Sequence, residues 1–415
     1  MSTLAVLGAS GFTGRLVVAE ALRQGHRPVL IGRDPDRIRG VLAADDTGEG
    51  VEVSGGLTPD VRAAEDLAPD TTDAPDTTDG PDIPGTPALR AADLTDIRTA
   101  DVTDPASLER ALEGVDVLLT TVGPFDVLGR GVLDAALATG THYVDVTGEQ
   151  PFVHWAVTER DVPAREAGVV AVSAAGFEFL TGDLLAALAA GAVAWPSEVH
   201  VAYTIPRTGR FVRRSSAGTR RTFASMLGHR GLALVDEELV EELPLEARRL
   251  AWFPRPVGPR HAAGIPGGEP LTVPRHVPGV RTVRTYVAMP TWQAELGQMG
   301  ANLTRWAPAR RSVQRLLQGG PVGPSLAVRA STRWGCVAEA EGQDGVARAW
   351  AYGHDVYGLT AVSAVAVAEA ILANDPPAGV QSPAVVSPPG DLLDEIAARC
   401  DLRWSVARPE GDTTD

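Results

Sequence analysis

The first thirty-five positions alternate apolar runs with punctuating glycines, a pattern that predicts a strand, a tight turn and a helix. Residues 3 to 8 form a short apolar run closed by Gly8, and Leu16, Val17, Ala21 and Leu22 then recur at helical spacing over 14 to 24. A second apolar run, Pro28 to Ile31, ends at Gly32-Arg33-Asp34, and Pro35 opens another helix, completing a βαβ unit. The pattern resumes near Thr99, where Asp104 and Pro105 read as the N-cap and first residue of a helix carrying Leu108, Ala111 and Leu112. Apart from Asp116, Val115 to Val122 is an apolar and threonine run, as expected of a strand buried on both faces. A helix over Leu128 to Ala138, a strand at Tyr143 to Val146, a helix over Val153 to Ala167 and a strand at Val169 to Val172 follow. This alternation predicts an α/β fold, an N-terminal Rossmann doubly wound parallel sheet over 1–175.

Beyond Gly176 the period changes. A helix at Asp183 to Ala190, an alternating strand at Val199 to Tyr203, a strand near 281–288 and a strand pair at 326–340 and 346–352 predict a second, mixed α/β domain over 176–352, suited to substrate or dimer contacts. Thr360 to Leu372 is an apolar, small-residue helix, so 353–405 is expected to return and pack on the Rossmann domain, with 406–415 as a frayed tail. Between about 45 and 90 the chain turns to Asp, Thr, Pro, Gly and Ala, and Ala-Pro-Asp-Thr-Thr-Asp occurs twice, at 68–73 and 74–79. So little apolar surface cannot offset the entropy of ordering, which predicts an acidic, disordered insertion.

Composition narrows the chemistry. All 37 basic residues are arginine, and the absence of lysine excludes a Schiff base, a Walker A loop and a Tyr-x-x-x-Lys proton relay, since a guanidinium does not give up its proton. The missing lysine also argues against a short-chain dehydrogenase or nucleotide-sugar epimerase. The net charge of −16 is concentrated, with 16 acidic and 3 basic residues between Asp45 and Asp104. No nucleic-acid partner is indicated. Cys336 and Cys400 make no disulfide framework. The longest apolar run, Leu184 to Trp195, has 12 residues, against about 20 for a membrane span. A cytoplasmic protein with no membrane insertion is expected.

The candidate chemistry begins at Gly8, Ser10, Gly11, Phe12, Thr13 and Gly14. Glycines spaced three and three between a strand and a helix let backbone N–H groups approach a pyrophosphate, where the helix N-terminus adds positive character. At the end of the second strand stands Arg33, with Arg37 one turn further on. Guanidiniums there pair with a 2′-phosphate and favour NADP(H), whereas an Asp34 carboxylate turned to the ribose would favour NAD.

Several separated stretches together resemble the saccharopine dehydrogenase-like oxidoreductases, a group that includes the trans-acting enoyl reductases. They are Gly8 to Gly14, Gly32-Arg33-Asp34, Asp101-Val102-Thr103-Asp104, Thr121-Val122-Gly123-Pro124-Phe125 and His142-Tyr143-Val144-Asp145-Val146-Thr147-Gly148-Glu149. Ser216-Ala217-Gly218-Thr219 and 353–361 look like that family's second-domain turn and return segment. The resemblance implies NADP(H) as cofactor, with Asp101, Val102 and Thr121, Val122, Gly123, Pro124 and Phe125 beside it. It implies substrate contacts from Glu149, Ser216, Gly218 and Thr219. Ala174 to Glu178 departs from the family, whose members often carry Gly-Phe-Asp followed by Ser.

Proton donors are sought at strand ends. Tyr143, Asp145 and Glu149 are candidates, the first two sharing one face of a strand, as is Tyr357, while Tyr143 as core and Asp145 as a turn former at Thr147 and Gly148 stand as the structural alternatives. No histidine has metal-ligand spacing, so no metal site is expected. Seven arginines from Arg207 to Arg230 suit an anionic, carrier-bound substrate, or equally the acidic insertion or a second copy of the chain. The expected activity is hydride transfer to a C=C or C=N bond of a small or carrier-tethered substrate. The alternative is a non-catalytic NADP-binding regulatory protein.

Overall fold

The computed structural model describes residues 2–44, 96–204, 215–226, 229–304, 306–318 and 322–408. The expected insertion at 45–90, Arg207, Arg210, Arg213 and Arg214, and the last seven residues lie outside these.

Two sheets organise the described residues. The first is built from seven parallel strands: β1 (Leu4–Leu7), β2 (Val29–Gly32), β3 (Ile97–Thr99), β4 (Val117–Thr120), β5 (His142–Asp145), β6 (Val170–Val172) and, from far along the chain, β15 (Gly379–Gln381). Their order across the sheet is β15-β6-β5-β4-β1-β2-β3. Every residue of β1 and β4 is buried, which is why both read as continuous apolar runs. The connecting helices are α1 (Phe12–Arg23), α2 (Pro35–Ala44), α3 (Pro105–Leu112) and α4 (Phe125–Thr139). Helical turns over Gln150–Trp155, Ala156–Arg160 and Asp161–Glu166 lead into β6.

The second sheet has nine strands. Along its main path the order is β10 (Arg248–Trp252), β11 (Pro259–Gly264), β12 (Thr282–Ala288), β7 (Glu198–Thr204), β13 (Arg333–Gly342), β14 (Gly345–His354) and β16 (Leu402–Ala407); off this path, β8 (Gly231–Val235) pairs with β12 and with β9 (Glu238–Glu242). Among its described pairs only β7 and β12 run parallel. Helix α5 (Phe177–Ala190) joins the two sheets, and one apolar cluster runs from Leu4 and Leu119 of the first sheet through Leu184 to Cys336 and Ala349 of the second. The longer helices described in the second domain are α6 (Ala217–Met226), α7 (Thr291–Thr304) and α8 (Ala307–Gln318).

The return segment divides. Helix α9 (Val356–Asn374) packs on α1, α5, β4 and β5, and β15 extends the parallel sheet, but β16 joins the second sheet beside β14. This corrects the expectation that all of 353–405 returns to the Rossmann sheet and that the tail starts at 406, since Val406 and Ala407 still pair with Ala349 and Arg348. Leu326–Ala330, expected as the start of a strand, is a short helix, because the Ser325 hydroxyl accepts from the Val328 N–H and caps a helical turn. Among the described residues α9 is long and apolar enough to cross a membrane, and most of it is buried inside the protein, which explains its apolar residues on every side.

Candidate functional site

The carboxyl ends of the parallel strands open onto one crevice, and the chain reverses its order across β4, β1 and β2, the place where open α/β sheets bind ligands. Gly8 leaves β1 at φ +87°, and a Cβ there would lie 2.8 Å from Thr121 Oγ1 and 2.9 Å from Val122 Cγ2. A Cβ on Gly14 would lie 2.1 Å from the Gly8 carbonyl oxygen, so glycine lets α1 start directly against the turn. Gly11 donates its N–H to Gly8 O at 2.8 Å and is exposed, while Ser10, Phe12 and Thr13 are half-buried. The turn is therefore open to a ligand along its outer side.

Arg33, Asp34 and Arg37 are exposed and, with Ser10, line a cleft of about 340 Å³. Asp34 Oδ1 accepts from the Arg37 N–H at 2.9 Å, which engages that carboxylate in capping α2. Asp101, exposed at the end of β3, accepts from the Thr103 N–H and hydroxyl at 2.9 and 2.8 Å; these bonds, with a smaller contribution from Arg33, hold its carboxyl below its ordinary value. Val102 is half-buried beside it, and Thr121 to Pro124 lie half-buried along the crevice ahead of buried Phe125.

Three expected residues are placed differently. Tyr143 is fully buried among apolar side chains that include Leu118 and Phe152, and burial raises its phenol well above its ordinary value. Asp145 is also fully buried; its Oδ1 accepts from the N–H groups of Thr147 at 2.8 Å and Ala174 at 2.9 Å, and desolvation pushes its carboxyl up to about 6. The shared face therefore points into the core, which corrects the expectation that both reach the crevice. Glu149, expected at the substrate, is 1% exposed. It accepts from the N–H groups of Phe125 and Asp126 at 2.9 and 3.0 Å and from the Thr222 hydroxyl at 2.8 Å. It thus clamps the first turn of α4 to α6 of the second domain, a positioning role in place of substrate contact.

Other expected residues do come together. Tyr357, in the first turn of α9, stacks edge-on against Phe12 with ring centroids 5.1 Å apart. Its hydroxyl accepts from the Ser216 N–H at 2.6 Å and lies 3.1 Å from Thr219 Oγ1, while Ser216 Oγ accepts from the Thr219 N–H at 3.1 Å and caps α6. Gly218 is exposed next to them. Of the described arginines in the expected cluster, Arg220 is 1% exposed and donates to Ser215 O at 2.6 Å, so it belongs to the interior; Arg221 and Arg230 are exposed.

Glu178 is the residue the pattern did not single out. It begins α5 just past β6, is exposed, and sets its Oε2 2.8 Å from where a Cβ on Gly148 would sit, so glycine at 148 leaves room for it. The protein crowding the crevice raises its carboxyl above the ordinary range by desolvation. Its signal in the sequence is the departure at Ala174 to Glu178.

Fold and crevice define a Rossmann-type α/β protein with a mixed-sheet second domain adjoining its strand ends. The resemblance carried by the motifs is borne out by comparison with known proteins. The chain is 30% identical over 189 residues to a "Probable mitochondrial saccharopine dehydrogenase-like oxidoreductase" of Arabidopsis thaliana, covering 44% of this chain and 33% of that protein. It is 29% identical over 189 residues to the saccharopine dehydrogenase-like oxidoreductase of Bos taurus and 26% over 183 residues to a trans-acting enoyl reductase of Mycobacterium bovis, each again over 44% of this chain. The chain spans about a third of the length of these curated relatives. No family model matches it. Its fold is similar to that of apo saccharopine dehydrogenase (L-Glu forming) from Saccharomyces cerevisiae, over 98% of this chain and 100% of that one, with a TM-score of 0.56 and 12% identity.

Proposed function

We propose that the chain is an NADPH-dependent oxidoreductase of the saccharopine dehydrogenase-like type, acting on a C=C or C=N bond of a small or carrier-tethered substrate. The observation that carries the reading is the cleft where Ser10 of the glycine turn faces Arg33 and Arg37. The residues fit the cofactor, because Gly8 is compelled by the neighbouring Thr121 and Val122 side chains and Gly14 by the backbone of the turn, whereas Gly11 stays exposed where a pyrophosphate would approach.

In this reading the N–H groups of Phe12 and Thr13, at the start of α1, bind the pyrophosphate, and Arg33 and Arg37 pair with the 2′-phosphate. Asp34 commits one carboxylate oxygen to the start of α2, which supports the guanidiniums as the groups that read the ribose end. Thr121 to Phe125 line the ribose and nicotinamide, held in place by Glu149 from behind. NADPH, when bound, supplies the hydride. Glu178 holds the proton for the substrate at its carboxyl, whose pKa desolvation raises above that of an ordinary glutamate. Ser216, Thr219 and Tyr357 fix the second-domain turn against Phe12 and limit water at that edge.

Calorimetric titration with NADPH and NADH tests the assignment. Arg33→Ala is expected to weaken NADPH binding about 10- to 100-fold, the scale of a charge-assisted pair, while NADH binding changes little. Equal loss for both nucleotides would defeat the 2′-phosphate assignment.

A further inference from the structure

Away from the crevice, α7 presents two unlike sides. Ala294 and Thr304 are buried, and a Cβ on Gly297 would lie 2.6 Å from Leu245 Cδ1, so small residues seat this side on the second domain. The other side carries Trp292, Leu296, Met299 and Leu303, spaced four, three and four, and Trp306 continues the stripe just past the helix. These five side chains are between 59% and 68% exposed. A contiguous exposed apolar stripe of this size on a folded domain marks a contact surface.

Its surroundings are basic. Residues 291–318 contain Arg305, Arg310, Arg311 and Arg315 against the single acid Glu295, in a chain of net charge −16. Arg311 and Arg315 are exposed on α8, which packs on α7. We propose that this stripe docks the protein on an anionic lipid surface, with α7 lying in the plane of the headgroups. Apolar side chains with tryptophans at both ends of the stripe match the acyl boundary and interface, and the neighbouring guanidiniums match anionic headgroups. A second copy is a poorer occupant, since pairing two such faces brings their basic flanks together.

The test is co-sedimentation of the full chain with vesicles of phosphatidylcholine alone or mixed with phosphatidylglycerol. Binding to the mixed vesicles, weakened by salt, is expected. Arg311→Gln with Arg315→Gln should lower it roughly 30-fold, at about fivefold for each guanidinium removed. Leu296→Asp with Leu303→Asp should abolish it while leaving the thermal unfolding midpoint and nucleotide binding unchanged, because both side chains are exposed and distant from the glycine turn in sequence. Absence of sedimentation, unchanged binding by both variants, or vesicle-independent dimerisation that the leucine variant abolishes would each overturn the proposal, the last by assigning the stripe to a second copy.

Discussion

Glu269 offers a test of the interior. It starts the short helix Glu269–Thr272 and is fully buried, with Oε1 accepting from the Tyr203 hydroxyl at 2.7 Å and Oε2 from the Thr285 hydroxyl at 2.6 Å. Desolvation pushes its carboxyl from 4.5 to about 7, and these hydroxyls only partly oppose the rise. Between those values the folded chain holds a proton that the unfolded chain has released, so stability falls as pH rises; the contribution is fully present below about 4.5 and lost through about 7. At about 1.4 kcal/mol per pKa unit, the loss is about 3 kcal/mol by mildly alkaline pH. Glu269→Gln keeps the shape and cannot ionise, and the Thr285 hydroxyl can turn to accept from the new amide. Urea unfolding from mildly acidic to mildly alkaline pH should show the variant gaining about 3 kcal/mol on the wild type as pH rises. Asp145 titrates in the same direction in both proteins and cancels in the difference. Parallel stability curves would refute the argument.

Gly14→Ala places a Cβ against the backbone of the same turn, so the unfolding free energy should drop by about 2 kcal/mol, and an unchanged denaturation midpoint would show that the turn relaxes. Glu178→Gln should lower turnover roughly 100-fold at unchanged NADPH affinity; matched losses in turnover and nucleotide binding would make it a binding residue. Glu149→Ala leaves the Phe125 and Asp126 N–H groups without their acceptor, at about 2 kcal/mol, and a neutral result in chemical denaturation would remove its clamping role.

The Rossmann half was legible because its strands are buried on both faces and its turns need glycine. Leu4–Leu7 and Val117–Thr120 show unbroken apolar runs, and the contacts at Gly8 and Gly14 tolerate no side chain. The second domain was harder. Along the edge strand Leu402–Ala407 exposed positions alternate with Leu402, Trp404 and Val406, of which only Leu402 is fully buried, a weak pattern, and its partner β14 lies nearly fifty residues away in sequence. The helical turn at Leu326–Ala330 depends on one serine cap, which a β-like run of Leu326, Ala327 and Val328 conceals.

The acidic residues show why site chemistry lagged behind fold. Glu149 and Glu178 both follow parallel strands of one sheet, and strand-end position alone treats them alike. Their difference arises from what each meets across the fold. Glu149 is saturated by two α4 N–H groups and a hydroxyl from α6, partners 24, 23 and 73 residues away. Glu178 sets a carboxylate oxygen beside Gly148 and is exposed as a residue. A carboxyl whose oxygens are already claimed can hold a loop but has no place for a reacting partner, whereas an accessible one with a raised pKa can pass a proton on. Hydrogen-bond satisfaction, which no one-dimensional pattern records, separates the clamp from the acid.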